Sequence, residues 1–125
     1  MDALRKEGYQ IISTTPHNES CMLHEFDITK KSAFVFGVEK EGVSEFTMNQ
    51  SDGFLKIPMV GFTESLNISV AAAIILQDIT TKLKASTIDW QLTEEEKQIL
   101  YFDWVQKSIK SIKKITDRYN KEIEK

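Results

Sequence analysis

The segment that most constrains the fold is a run of four consecutive apolar residues, Ala33 to Phe36, which ends at Gly37. A short apolar run without polar alternation is typical of a strand that is covered on both faces, as strands are in a parallel sheet. The segment therefore predicts a parallel sheet with helices packed against it.

Shorter patterns on both sides extend this prediction. Residues 9–14 and 54–57 predict two further strands, and residues 2–8 and 44–50 predict short helices. Helices and strands in this order indicate an α/β fold. Three strands are fewer than the ~5–6 of an average sheet, so we expect the chain to be part of a larger domain.

The second half of the chain is predicted to be helical. Residues 65–83 are apolar on nearly every side, which predicts a buried helix, and Ser65 or Asn67 would cap its start. Residues 84–91 predict a linker, and residues 93–96 form a capping box that begins another helix. This last helix carries an apolar stripe of coiled-coil spacing, made of Val105, Ile109, Ile112, Thr116, Tyr119 and Ile123.

Composition is that of a globular domain. The 125 residues suffice for one ordinary domain, and no stretch approaches the ~18 apolar residues of a membrane span. The N-terminus lacks the apolar core of a secretory signal, and the single cysteine, Cys21, fits a reducing compartment. We therefore expect a cytoplasmic protein without a membrane partner.

Charge is distributed unevenly along the chain, whose net charge is −3. Residues 105–125 carry seven basic and three acidic side chains, a net charge of +4, which leaves −7 on the other 104 residues. A basic tail of this kind is typical either of a surface that binds a polyanion or of a solvated helix face.

Three potential metal ligands, His17, Cys21 and His24, fall within eight residues. A tetrahedral zinc site needs a fourth ligand, and the sequence offers no CxxC or HxxxH pair to supply it. We therefore interpret the three as loop residues and expect no metal. The GxSxG, P-loop and GxGxxG patterns are absent too, so hydrolase, NTPase and dinucleotide-binding functions have no sequence support.

Two segments carry patterns that suggest ligand binding. Residues 37–42 place Glu39 between two glycines directly after a predicted strand, at the edge where α/β sheets bind ligands. Residues 57–71 join a strand end to a helix start that carries Ser65, Asn67 and Ser69. Helix capping accounts for one of these three polar residues, so the others are candidates for binding.

Together, the patterns Gly-x-Glu-x-x-Gly, Ile-Pro-Met-x-Gly and Ser-Leu-Asn-x-Ser-x-Ala resemble motifs 2 and 3 of the SpoU family of RNA ribose 2′-O-methyltransferases. This family belongs to the SPOUT class. The resemblance therefore implies that residues 1–84 form the C-terminal, cofactor-binding portion of a trefoil-knotted α/β domain with a parallel sheet. Residues 85–125 are similar to the linker and basic helical extension of the TrmH branch, which modifies a guanosine in the tRNA D-loop.

The resemblance implies S-adenosylmethionine as the cofactor. The cofactor-binding residues that it implies are Phe36, Gly37, Glu39, Gly42, Ile57, Met59, Ser65, Leu66 and Asn67. Among them, Glu39, Ser65 and Asn67 match polar positions that support catalysis by ordering the loops and positioning the ribose. One departure is Val38, where many members have Asn or Gln.

The resemblance also implies RNA, and in the TrmH branch tRNA, as the partner. The expected RNA-binding residues lie in the tail and are Lys107, Lys110, Lys113, Lys114 and Arg118. Members of the family are homodimers, so a homodimer is expected here.

Motif 1 of the family has no counterpart in this sequence. It supplies an arginine that is thought to activate the ribose 2′-hydroxyl, and neither Arg5 nor Arg118 has its surroundings. Because a hydroxyl is a poor nucleophile until it is assisted, we expect the chain to be a fragment that is inactive alone. The expected function is RNA ribose 2′-O-methylation of a tRNA guanosine. The alternative is a catalytically silent RNA-binding or dimerisation module that retains the knotted core.

Overall fold

The computed structural model describes residues 1–16, 19–38, 40–62 and 65–123. The chain divides into two compact units, Met1–Ile88 and Asp89–Lys125. The first unit contains a parallel sheet with strands β1 (Gln10–Thr14), β2 (Cys21–Met22), β3 (Ser32–Val35) and β4 (Gly53–Lys56). The strand order in the sheet is β2-β4-β1-β3.

The first unit also contains helices α1 (Asp2–Lys6), α2 (Glu45–Asn49) and α3 (Ile68–Ala85), with a short 3-10 helix at Leu23–Glu25. The second unit contains α4 (Glu94–Ser108) and α5 (Ile112–Ile123). No helix in the described part of the chain is both long and apolar enough to cross a membrane.

The core of the first unit lies between α3 and one face of the two central strands. Leu55 of β4 and Ile75 of α3 are fully buried and pack in one cluster with Ile12, Leu23 and Ile79. Each such side chain, when removed from water, contributes ~1.5–3 kcal/mol to folding. This packing holds the start of α3 near the carboxyl ends of the strands.

The opposite end of the sheet is held by a carboxylate. Asp52 accepts a hydrogen bond from the Ile11 N–H at 2.7 Å and one from the Arg5 guanidinium at 3.2 Å. The hydrogen bond from Ile11, followed by that from Arg5, holds the pKa of Asp52 below its ordinary value, although partial desolvation acts the other way. Arg5 also donates to the Gln50 carbonyl. Arg5 therefore lies at the amino end of the strands.

The α/β fold is confirmed, but two expectations about the strands are wrong. Ala33–Phe36 was expected to be covered on both faces, whereas β3 is an edge strand of this sheet and is only half-buried. The sheet also has a fourth strand, β2, which sequence patterns miss because two residues show no alternation.

Two expectations about the helices are also wrong. The helix at 65–83 was expected to be buried, but Ile68, Val70, Ile74 and Leu76 of α3 are exposed. The single tail helix is interrupted, because α4 ends before a turn in which Ser111 adopts a φ of 68°. The capping box at the start of α4 is confirmed.

Candidate functional site

A cavity of about 480 Å³ opens at the carboxyl ends of β1, β3 and β4. Its size falls in the ~300–1,000 Å³ range of small-molecule sites, and its position is the one that open parallel sheets use for ligands. The strands contribute Thr14 and Leu55 to its lining, and the residues that directly follow β1, β3 and β4 contribute Thr15, Phe36 and Ile57.

Apolar side chains from the helices and the loops complete the walls. Met48 of α2 and Met59 of the loop after β4 line the cavity, as do Leu66 and Ile68 at the start of α3. An apolar wall of this kind suits a flat, weakly polar group such as a nucleobase.

The loop after β3 is a tight turn whose shape depends on a glycine. Val38 and Gly42 exchange two backbone hydrogen bonds of 3.0 and 2.9 Å, which folds the loop back on itself. A Cβ atom at Gly37 would overlap the backbone of Gly42 and Val43. Gly37 therefore permits a close approach between two backbone segments, and both segments line the cavity.

Asn67 caps α3. Its Oδ1 accepts hydrogen bonds from the Ser69 N–H at 3.0 Å and from the Ser69 hydroxyl at 2.6 Å. Asn67 is exposed and does not line the cavity, whereas Ser65 does. The amide of Asn67 thus fixes where α3 begins and, through that, the direction of the lining residues before it.

The structure brings most of the expected cofactor residues to one cavity. Those that line it are Phe36, Gly37, Gly42, Ile57, Met59, Ser65 and Leu66. Glu39 lies outside the described residues, so its role stays a prediction. Thr14, Thr15 and Lys56 also line the cavity and belong to no sequence motif; the signal for them is their place at or directly after the end of a strand, which points to the cavity once the strand order is known.

The five basic tail residues differ in their neighbours. Lys107 pairs with Asp103 at 2.6 Å and Arg118 pairs with Glu122 at 3.3 Å, so part of their charge is compensated. Lys110, Lys113 and Lys114 are exposed. Within the described residues, these three have no acidic partner.

His24 and Cys21 are exposed, and the His24 Nε2 atom lies 3.7 Å from a carboxylate oxygen of Glu25. No group of three potential metal ligands is found among the residues that the structure describes. His17 lies outside them.

The sheet order and the cavity define an α/β protein with a ligand-sized cavity at the carboxyl ends of its strands. Solved structures share this architecture. The TrmH/SpoU tRNA modifying enzyme of A. aeolicus superposes with a TM-score of 0.71 at 35% identity, over 86% of this chain and 56% of that chain. The SpoU methyltransferase AviRb of Streptomyces viridochromogenes, solved with AdoMet, superposes with a TM-score of 0.61 at 29% identity, over 68% and 34%.

The model of the SpoU rRNA methylase family matches residues 1–77, and the chain belongs to this family. The tRNA (guanosine(18)-2′-O)-methyltransferase of Borreliella burgdorferi is 37% identical over 120 residues, which are 96% of this chain and 55% of that protein. The chain spans about half the length of the curated relatives it matches.

Proposed function

We propose that the chain is the cofactor-binding part of an S-adenosylmethionine-dependent RNA methyltransferase that modifies the ribose 2′-hydroxyl of a tRNA guanosine. In this proposal residues 1–84 bind the cofactor, and residues 85–125 form a linker and an RNA-binding extension. The proposed location of the protein is the cytoplasm. The observation that carries the proposal is the cavity, because seven of the expected cofactor residues, six of them from the three motif segments, line it together. The trefoil knot stays a prediction.

The cavity fits S-adenosylmethionine in size and in chemistry. A volume of about 480 Å³ accommodates a nucleoside with an amino-acid tail. Phe36, Ile57 and Leu66 offer apolar walls for the adenine, and the close backbone approach at Gly37 leaves peptide groups free of side chains beside them. Peptide N–H and C=O groups supply the hydrogen bonds that a purine requires.

When bound, S-adenosylmethionine supplies a methyl group that is transferred to a ribose oxygen. The contribution of this chain is to bind and to orient: the apolar walls exclude water, and the capped start of α3 holds Ser65 and Leu66 at the rim. Such positioning accounts for much of the acceleration of a two-substrate reaction.

Activation of the 2′-hydroxyl is a separate requirement. Arg5 is engaged by Asp52 and Gln50 at the other end of the strands, so it does not serve the cavity. We therefore propose that the chain binds cofactor but does not methylate RNA alone. This observation also favours the second candidate, a silent RNA-binding or dimerisation module, which would not need the cofactor.

The basic tail supports RNA as the partner. Lys110, Lys113 and Lys114 are exposed cations within a segment of net charge +4, and phosphate contacts from such residues give affinity that falls as salt rises.

Exposed apolar surfaces support a homodimer. Val70 and Ile74 lie one turn apart on α3, on the side away from Ile75 and Ile79, and both are more than one-third exposed. In the second unit, Trp104 and Tyr119 are each at least 60% exposed. Apolar surfaces of this kind mark contacts between proteins. Replacing Val70 and Ile74 by lysine should give a monomer in sedimentation experiments, whereas lysine at the exposed polar Gln77 should not.

Calorimetric titration tests the proposal. The chain should bind S-adenosylhomocysteine saturably, should not bind ATP at the same concentrations, and should transfer no labelled methyl group to tRNA alone. If the folded chain binds RNA but no S-adenosylhomocysteine, the silent module replaces the proposed function.

A further inference from the structure

We infer that Lys56 is an anion-binding residue of the cavity and that it takes the carboxylate of the cofactor's amino-acid tail. The inference rests on the proposed function and deepens it, because no motif of the sequence analysis includes this lysine. Lys56 is the last residue of β4 and lines the cavity directly before Ile57.

The position of Lys56 is fixed by the sheet. Its backbone pairs with Met22 of β2, next to the pair that Leu55 forms with Cys21. Because Leu55 is fully buried in the core, its neighbour on the strand belongs to the opposite face of the sheet. Lys56 is therefore anchored on a rigid element, while the other lysine of the cavity lining, Lys40, lies exposed in the turn after β3.

The charge of Lys56 has no acidic partner among the described residues; exposed lysines of the first unit such as Lys6 and Lys84 also lack one, but they remain in water. Lys82, for comparison, pairs with Asp78 at 2.8 Å and donates to the carbonyls of Leu23 and His24. Lys56 is half-buried. A partly desolvated ammonium group in a ligand cavity is stabilised when an anion binds beside it.

Two anions could reach this cavity in an RNA methyltransferase: the carboxylate of the cofactor and a phosphate of the RNA. The carboxylate is favoured because Lys56 lines the same cavity as Phe36, Ile57 and Leu66, whose apolar side chains suit adenine. A ligand that places its adenine there has its charged tail within the same cavity, whereas an RNA phosphate needs no such wall.

The test compares ligands rather than activity. Lys56→Met, Lys56→Arg and the control Lys84→Met, at an exposed position of α3, are each titrated with S-adenosylhomocysteine and with decarboxylated S-adenosylhomocysteine, which keeps the amine. Loss of one charge-assisted hydrogen bond reduces affinity about tenfold or more. Lys56→Met should show this loss for S-adenosylhomocysteine only, with Lys56→Arg and Lys84→Met close to the unchanged chain.

Other results separate the alternatives. If Lys56→Met leaves both ligands unaffected but weakens tRNA binding, the anion is an RNA phosphate and the carboxylate assignment is overturned. If the affinities for both ligands fall equally, Lys56 acts only on the shape of the cavity and the inference is overturned. An ion pair between Lys56 and Glu39 would give this result, and Glu39→Gln should then show the same pattern. If the unchanged chain binds neither ligand, the proposed function itself fails.

Discussion

Gly37→Ala is the substitution that the structure marks most clearly as damaging to the cavity. The added Cβ would overlap the backbone of Gly42 and Val43, and backbone atoms cannot move aside as a flexible side chain can. The turn that begins at Val38 must therefore open to accommodate it.

The magnitude follows from the contacts that would be lost. Opening the turn breaks the two backbone hydrogen bonds between Val38 and Gly42, each worth about 1 kcal/mol net. The variant should lose about 2 kcal/mol in the free energy of unfolding. Because ligand binding requires the turn to close again, affinity for S-adenosylhomocysteine should fall about 30-fold or more.

Urea unfolding and calorimetric titration measure the two effects on the same samples. Gly8→Ala is the matched control, since Gly8 has a φ of 83° with open space around it. It should lose about 1–2 kcal/mol of stability for backbone reasons alone and should bind S-adenosylhomocysteine normally. A Gly37→Ala chain that binds as tightly as the unchanged chain would show that the turn accommodates the Cβ atom without opening, contrary to this prediction.

Three further predictions concern the core, the pH dependence and the tail. Ile75→Ala, at a fully buried position, should cost about 2–4 kcal/mol in urea unfolding, whereas Leu76→Ala, at a side chain 54% exposed, should cost less than about 1 kcal/mol; equal costs would contradict the packing. The hydrogen bond from β1 and then the guanidinium hold the pKa of Asp52 below its ordinary value. The stability that it contributes is therefore present above the unfolded-state pKa, near 3.8, and is lost as pH falls through the lower folded-state pKa. Asp52→Asn should accordingly show a shallower loss of urea midpoint over that range, and an unchanged slope would contradict this. Replacing Lys113 and Lys114 by alanine should weaken tRNA binding and reduce the slope of log affinity against log salt by about one per lysine; a slope equal to that of the unchanged chain would remove these residues from the RNA contact.

The sequence predicts the local elements well and their burial poorly. Strand β4 and the capped helix α4 follow from patterns within a few residues. The exposure of α3 does not, because an apolar helix that packs on one side and leaves the other bare has the same composition as a fully buried one. The two-residue strand β2 forms through pairing with β4, a long-range contact that no local pattern contains.

The residues of the candidate site likewise fall into those that local patterns identify and those that depend on long-range contacts. Gly37 and Leu66 were identified because they belong to recognisable motifs, and both line the cavity. Thr14 and Lys56 were missed because their position depends on which strand ends lie side by side. Asn67 stands in a motif but caps α3, a role that spacing alone does not separate from ligand contact.

Two-dimensional amide NMR spectra, recorded while S-adenosylhomocysteine is added, test most directly the claim that this cavity binds the cofactor. We expect chemical-shift changes concentrated at the amides of Gly37, Gly42, Met59 and Leu66, which line the cavity, and none at Gly8. If these amides do not shift, or if the changes are spread over the tail instead, the claim that the cavity binds the cofactor is contradicted.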